Sequence, residues 1–228
     1  MRLYLCALVS GDEDLLDTFV KYHEAHGVDK VLLEYATPPY RDQPGRATRL
    51  QLQAHREGAD WVLNSDLDEF WWTPDGDLHR PFERLTDRAG WGRARMTEFA
   101  QDAGRCYPAH RNWMGLRLQP KCAHRPGPGV RVGLGNVGVS GATGGCHAFR
   151  GDLEVLHWPL RSPWQAYEKA FALLSAFGGR KGVLSERRLE LYRELQDHPA
   201  KTLEWVGITQ PTIPDPRLAI ILGEAGWG

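Results

Sequence analysis

The stretch Trp61-Val62-Leu63-Asn64-Ser65-Asp66-Leu67-Asp68-Glu69-Phe70-Trp71-Trp72 runs from an apolar strand into three carboxylates and then into aromatic residues. Side chains alternate faces along a strand, which predicts that Asp66 and Asp68 point one way while Leu67 and Glu69 point the other. Two acids on one face repel each other unless a cation neutralises them, and hard divalent ions such as Mg²⁺ or Mn²⁺ favour carboxylate oxygens. An Asp-x-Asp pair of this kind suits an ion shared with a diphosphate. The surrounding Trp and Phe residues predict partial burial, where unpaired charge is costly, and this weighs against a merely solvated acidic turn.

Upstream of this stretch the pattern is one of alternating strands and helices, which points to an α/β layered sheet with crossover connections. Leu3 to Ser10 read as the first strand. Asp12 is placed to cap a helix with Leu15, Leu16, Phe19, Val20 and Tyr22 or His23 on its inner side, and Gly27 stops it. Val31 to Tyr35 form a second strand. An Arg/Gln-rich helix follows from about Arg46 to Glu57, with Gly58 as terminator, and the strand Trp61 to Asn64 comes next. In such sheets ligands collect beyond the carboxyl ends of the strands, where Gly11, Glu34 and Asp66 fall.

Downstream the pattern is less regular. Phe82 to Arg88 suggest a helix and Gly92 to Phe99 an extended run, while Cys106 to Cys146, crowded with Gly, Pro, Arg and His, read as a long functional loop region. Leu153 to Trp158 restore a strand. Pro163 to Phe177 and Ser185 to Gln196 have the spacing of amphipathic helices. No linker divides the chain, so a single domain over 1–228 is expected.

The chain has 228 residues, 42% of them hydrophobic, which is enough for one substantial core. A net charge of -1 without a Lys/Arg block argues against nucleic acid or an anionic membrane as the main partner. The apolar run Leu3 to Val9 is too short for a signal-peptide core, and no segment approaches a membrane span, so a cytoplasmic location is expected. Cys6, Cys106, Cys122 and Cys146 form no Cys-x-x-Cys pair and are expected as thiols. Cys122, His124, Cys146 and His147 fit no familiar zinc spacing.

Three segments together resemble family 2 type glycosyltransferases of the GT-A fold, in the subgroup similar to the larger family 92 enzymes. The first is Gly11-Asp12-Glu13-Asp14-Leu15-Leu16 with Tyr22-His23 and His26-Gly27-Val28-Asp29. The second is Ala59-Asp60-Trp61-Val62-Leu63 with Asp66-Leu67-Asp68-Glu69-Phe70, and the third is Leu156-His157-Trp158-Pro159-Leu160-Arg161-Ser162. The resemblance implies a Rossmann-like mixed sheet flanked by helices, with a nucleotide and metal half over about 1–72 and an acceptor half over about 73–228. It also implies transfer of a sugar, with inversion, from a nucleoside diphosphate donor (a UDP-sugar favoured) to the hydroxyl of a glycan or small metabolite.

By this resemblance Asp66 sits near the donor ribose or the metal, Asp68 ligates Mn²⁺ or Mg²⁺, and His157 reaches the same ion from a later strand. Glu13 and Glu34 are candidate donor contacts, with Glu34 standing where related chains carry an Asp/Ser/Thr-rich nucleotide turn. Lys121 and Arg161 are candidates to neutralise diphosphate oxygens. An inverting transfer needs a base for the acceptor hydroxyl, and Glu98 and Asp102, after the extended run Arg93 to Thr97, are the candidates.

Other signals carry less. Gly133-Leu134-Gly135-Asn136-Val137-Gly138 matches a dinucleotide fingerprint, but the residues that follow will not open a helix, so a loop is expected. His23-Glu24-Ala25-His26 lacks the spacing of a zinc protease and reads as helix packing. Two rival functions remain. One is a nucleotidyltransferase using the same acidic pair, and the other is a non-catalytic scaffold, which the missing nucleotide turn would suit.

Overall fold

The computed structural model describes residues 1–9, 12–35, 42–85, 88–102, 105–109 and 118–160, with isolated residues beyond them. The expected helices at Pro163 to Phe177 and Ser185 to Gln196 lie, but for Arg193 and Glu194, outside the described residues. The chain divides into two compact units. The first comprises Met1–Met96, Gln119–His157 and Ile221–Gly228, and the second comprises Thr97–Leu118 and Trp158–Ile220.

In the first unit β1 (Leu3–Val9) leads through a short 3-10 turn into α1 (Leu16–Ala25), then β2 (Lys30–Tyr35), α2 (Gln43–Arg56) and β3 (Trp61–Asp66). A two-residue turn separates β3 from β4 (Glu69–Trp72), and a single helical turn, α3 (Arg80–Glu83), precedes β5 (Ala89–Asp102). Then come β6 (Arg105–Ala109), β7 (Lys121–His124), the two-residue strands β8 (Arg131–Val132) and β9 (Val139–Ser140), β10 (Gly145–Ala148) and β11 (Glu154–Leu160).

The result is a mixed α/β architecture with a Rossmann-like first half. β1 pairs in parallel with β2 on one side and β3 on the other, so α1 and α2 are the crossover helices. β7 then runs antiparallel between β3 and β5, β10 lies parallel to β5, and β4 pairs antiparallel with β11. In the second unit β5 continues as an antiparallel pair with β6.

β1 is buried at every position, as a central strand covered on both faces must be. Tyr4, Cys6 and Leu8 on one face meet Leu50 and Ala54 of α2, with Leu32 and Val62 alongside. Each such fully buried aliphatic side chain contributes about 1.5–3 kcal/mol relative to exposure. The 3-10 turn presents Leu15 inward, and α1 presents Phe19, Tyr22 and His23. Phe19 and His23 lie against Phe70 of β4, and the Tyr22 hydroxyl donates to the Trp71 carbonyl at 3.1 Å. His23 is therefore a packing residue. Its Nδ1 lies 2.8 Å from the Phe19 carbonyl while its Nε2 accepts from the Trp71 amide at 3.1 Å, which requires the neutral ring with the proton on Nδ1.

Several sequence expectations need correction. The Asp12 side chain makes no cap bond; its carbonyl instead accepts from the Leu15 amide at 3.0 Å. The expected helix from Phe82 to Arg88 is a single turn that starts earlier, because Pro81 has no N–H to lose in a first turn and the β5 strand begins at Ala89. The Cys106 to Cys146 region is not one long loop. Short strands there pair with residues far away in sequence, and glycines and prolines mark the turns between them. Gly133 to Gly138 form the tip of the β8–β9 hairpin, closed by the Gly133 amide on the Gly138 carbonyl at 2.8 Å, as the loop reading required.

Gly27 closes α1 at φ 99, a backbone conformation that a side chain opposes. A Cβ there would also lie 2.9 Å from the His79 ring. Gly27→Ala should therefore lower stability by about 1–2 kcal/mol, read as an earlier urea midpoint at unchanged slope.

Candidate metal centre

The acidic turn is assembled by two strand pairings that the linear sequence does not announce. β3 ends at Asp66, and the chain turns through Leu67 and Asp68 before β4 begins at Glu69. Alternation does not carry across that break, so Glu69 does not point away from Asp68. The Ser65 hydroxyl donates to the Glu69 carbonyl at 2.8 Å, and the Asp66 amide donates to Glu69 Oε2 at 3.1 Å, which folds the Glu69 carboxylate back under its own turn.

The register of β4 against β11 sets His157 directly opposite Glu69. Directly opposed residues share a face of the sheet, with Cβ atoms about 5 Å apart. Asp68, Glu69 and His157 thus offer one ligand atom each within 4.8 Å of one another, and among the described residues no other group of three or more such side chains does so. His157 Nε2 lies 3.4 Å from Asp68 Oδ2. Asp68 and Glu69 are buried and His157 nearly so.

β7 supplies the countercharge. Its antiparallel register on β3 places Lys121, its first residue, beside the carboxyl end of β3. The Lys121 ammonium is ion-paired with Glu69, lies 3.7 Å from Asp66 Oδ2, and donates to the Gly135 carbonyl at 2.9 Å. Burial alone would lower its affinity for a proton. The Glu69 carboxylate, then Asp66, outweigh that effect and hold Lys121 above its usual range, fully charged. Burial pushes the Glu69 carboxyl up to about 7, against the pull of Lys121 and with some help from the neighbouring Asp66 charge.

The other expected site residues are placed as follows. Asp66, a third exposed, lies outside the three-residue group and faces Lys121. Glu34 and Asp66 both stand in register with Leu8, so they share one level at the carboxyl edge of the parallel strands. Glu34 is engaged there by Arg49 at 2.8 Å and Arg46 at 3.4 Å. Glu13 is exposed in the 3-10 turn before α1. Glu98, which is buried, and Asp102 lie on β5 in the second unit, in register with Ala109 and Arg105 of β6. Arg161 is outside the described residues. Glu69 is the member of this three-residue group that sequence reasoning missed; the aromatic run Phe70 to Trp72, which continues the new strand that Glu69 begins, was the available signal.

The Cys122, His124, Cys146 and His147 set is not gathered. Cys122 faces Asn64 on β3, while Cys146 sits on β10, across β5 from β7. Among the described residues no helix is long and apolar enough to cross a membrane.

No family model matches the chain, and no curated protein matches it. Among solved structures, a glycosyltransferase involved in the glycosylation of the major capsid of PBCV-1 is similar over 55% of this chain and 60% of its own, at 13% identity and a TM-score of 0.32. The chain thus spans less than two thirds of that structure.

Three buried groups in this unit set an acid response. Burial lowers His23 from its ordinary 6.5 to about 3, and His124 from 6.5 to about 4. Between about pH 4.5 and 6.5 the unfolded chain therefore binds two more protons at these histidines, while the native state binds one more at Glu69. The two histidines outweigh the one carboxyl, so the balance of protons favours the unfolded chain on acidification. Stability should be highest near pH 7 and fall on acidification below it, by at most about 1.4 kcal/mol per unit. Urea midpoints at pH 7, 6 and 5 measure this, and a midpoint that rises from pH 6 to pH 5 would contradict the assignment.

Proposed function

We propose that this protein is a metal-dependent GT-A glycosyltransferase that moves a sugar from a nucleoside diphosphate donor to an acceptor hydroxyl, with inversion at the sugar carbon. The observation that carries the reading is the apposition of His157 on β11 to Asp68 in the β3–β4 turn and Glu69 at the start of β4. It joins the second and third of the sequence segments on which the resemblance to family 2 type enzymes, near family 92, was drawn.

The donor set fits a divalent ion. Two carboxylates and one imidazole match the mixed oxygen and nitrogen ligation that Mn²⁺ accepts, and Mg²⁺ is served by the carboxylates with water. Asp68, Glu69 and His157 would hold it, with Asp66 turned toward the donor. When bound, such an ion stabilises the negative charge that builds on the departing nucleoside diphosphate.

The chain's own groups then have defined tasks. Glu69 braces the turn through the Asp66 amide, so the two aspartates are presented in one geometry. His157 serves as a neutral nitrogen donor. Arg161, which follows His157 in the sequence, and Glu13 and Glu34 at the strand edge are the proposed donor contacts. Tyr35, exposed at the end of β2, offers a ring for a base to stack on. Glu98 and Asp102 remain the proposed candidates for the base that takes the acceptor proton.

Thermal unfolding with UDP, GDP, CDP and dTDP, each with Mn²⁺ or with EDTA, tests the reading. A nucleotide at a hundredfold over its dissociation constant adds about 2.7 kcal/mol, or roughly 5–10 °C for a chain of this size. One nucleotide should raise the midpoint by that amount, with loss of the rise in EDTA and in Asp68→Ala. No rise with any nucleotide would move the assignment to a scaffold. Release of pyrophosphate in place of nucleoside diphosphate during turnover would move it to a nucleotidyltransferase.

A further inference from the structure

We infer, resting on the reading of this site as a metal centre, that Lys121 is an internal counter-cation that couples the ion to a polyanion: it weakens capture of a free divalent ion and strengthens binding of a diphosphate beside the loaded ion. The side chain is nearly fully buried, and its ammonium is committed to Glu69 and the Gly135 carbonyl, with Asp66 Oδ2 at 3.7 Å. Glu69 is in turn bound at both oxygens, by Lys121 at one and the Asp66 amide at the other. An ion on Asp68, Glu69 and His157 must therefore share Glu69 with a fixed positive charge, and two cations on one carboxylate repel.

The charge balance shows what this does to the ligand. A carboxyl that ligates a divalent ion is held ionised, so with Asp66 the loaded cluster would, without Lys121, set three negative charges against the ion and remain negative. Such a centre holds a bare ion tightly and repels a diphosphate. With Lys121 present, the divalent ion brings the cluster to neutrality, so an incoming polyanion meets no net opposing charge. The ammonium is also tied to the β8–β9 hairpin, since Gly135 accepts from Lys121 and its amide donates to Gln43 at the start of α2 at 3.2 Å. That tie holds the charge at the metal side of the sheet edge and keeps it from swinging into solvent.

The two halves of the inference are read separately. Mn²⁺ binding to the full chain is followed by electron paramagnetic resonance without any anion, and labelled pyrophosphate binding by equilibrium dialysis at saturating Mn²⁺. Lys121→Met should bind Mn²⁺ about tenfold tighter and pyrophosphate about tenfold weaker than the wild type, while Lys121→Arg keeps both near wild type. A folded Lys121→Met with unchanged or weaker Mn²⁺ binding overturns the inference and leaves the metal centre standing. Wild-type protein that binds neither Mn²⁺ nor pyrophosphate overturns both. If Lys121→Met does not fold, Glu69→Gln is compared with the double variant Glu69→Gln/Lys121→Met, in which no buried charge is left without its partner. Equal Mn²⁺ affinity in that pair overturns the inference, and tighter binding by the double variant supports it.

Discussion

The ion pair between Glu69 and Lys121 is the contact on which the geometry of the acidic turn depends. Both side chains are withdrawn from water, and the desolvation of two charges is repaid only where the remaining lone pairs and protons are also satisfied. Here they are: Glu69 takes the Asp66 amide on its second oxygen, and Lys121 spends a further proton on the Gly135 carbonyl. The pair therefore joins the β3–β4 turn, the first residue of β7 and the β8–β9 hairpin. Three segments far apart in sequence meet at one buried charge.

The surrounding sheet explains why the charges collect at this edge. Parallel β2, β1 and β3 all end on the same side, which brings Glu34 and Asp66 to one level. β7 enters antiparallel, so it starts where β3 ends, and its first side chain arrives beside Asp66. β4 and β11 add His157 by direct cross-strand opposition. Beneath them α1 packs its aromatic face on Phe70, and neutral His23 supplies an acceptor for the Trp71 amide. The rigidity of the acidic turn is thus partly that of the aromatic layer behind β4.

Glu69 shows where reading a strand as a continuous period of two fails. The alternation from Asn64 through Asp66 is sound within β3, but two turn residues reset its phase, and Glu69 begins a new strand. No periodic signal reports such a reset when the residues on both sides are apolar or aromatic, because buried neighbours on both faces remove the contrast between inside and outside. A different limit made the region from Cys106 to Cys146 read as a loop, since its strands are too short to show a period amid glycines and prolines. Strands of two to five residues owe their existence to partners supplied by distant segments.

What the sequence by itself determined is the βαβαβ beginning and its acidic end. Hydrophobic periodicity, terminators such as Gly27 and Gly58, and the Asp-x-Asp run are local features, and local features survive in a linear reading. The membership of the cluster was decided only by tertiary structure. Whether Glu69 or Asp66 stands with Asp68 and His157, and whether Lys121 faces solvent or lies buried against carboxylates, follows from strand register between segments 50 to 90 residues apart. Register is set by the packing of whole faces, and no single residue in the chain encodes it.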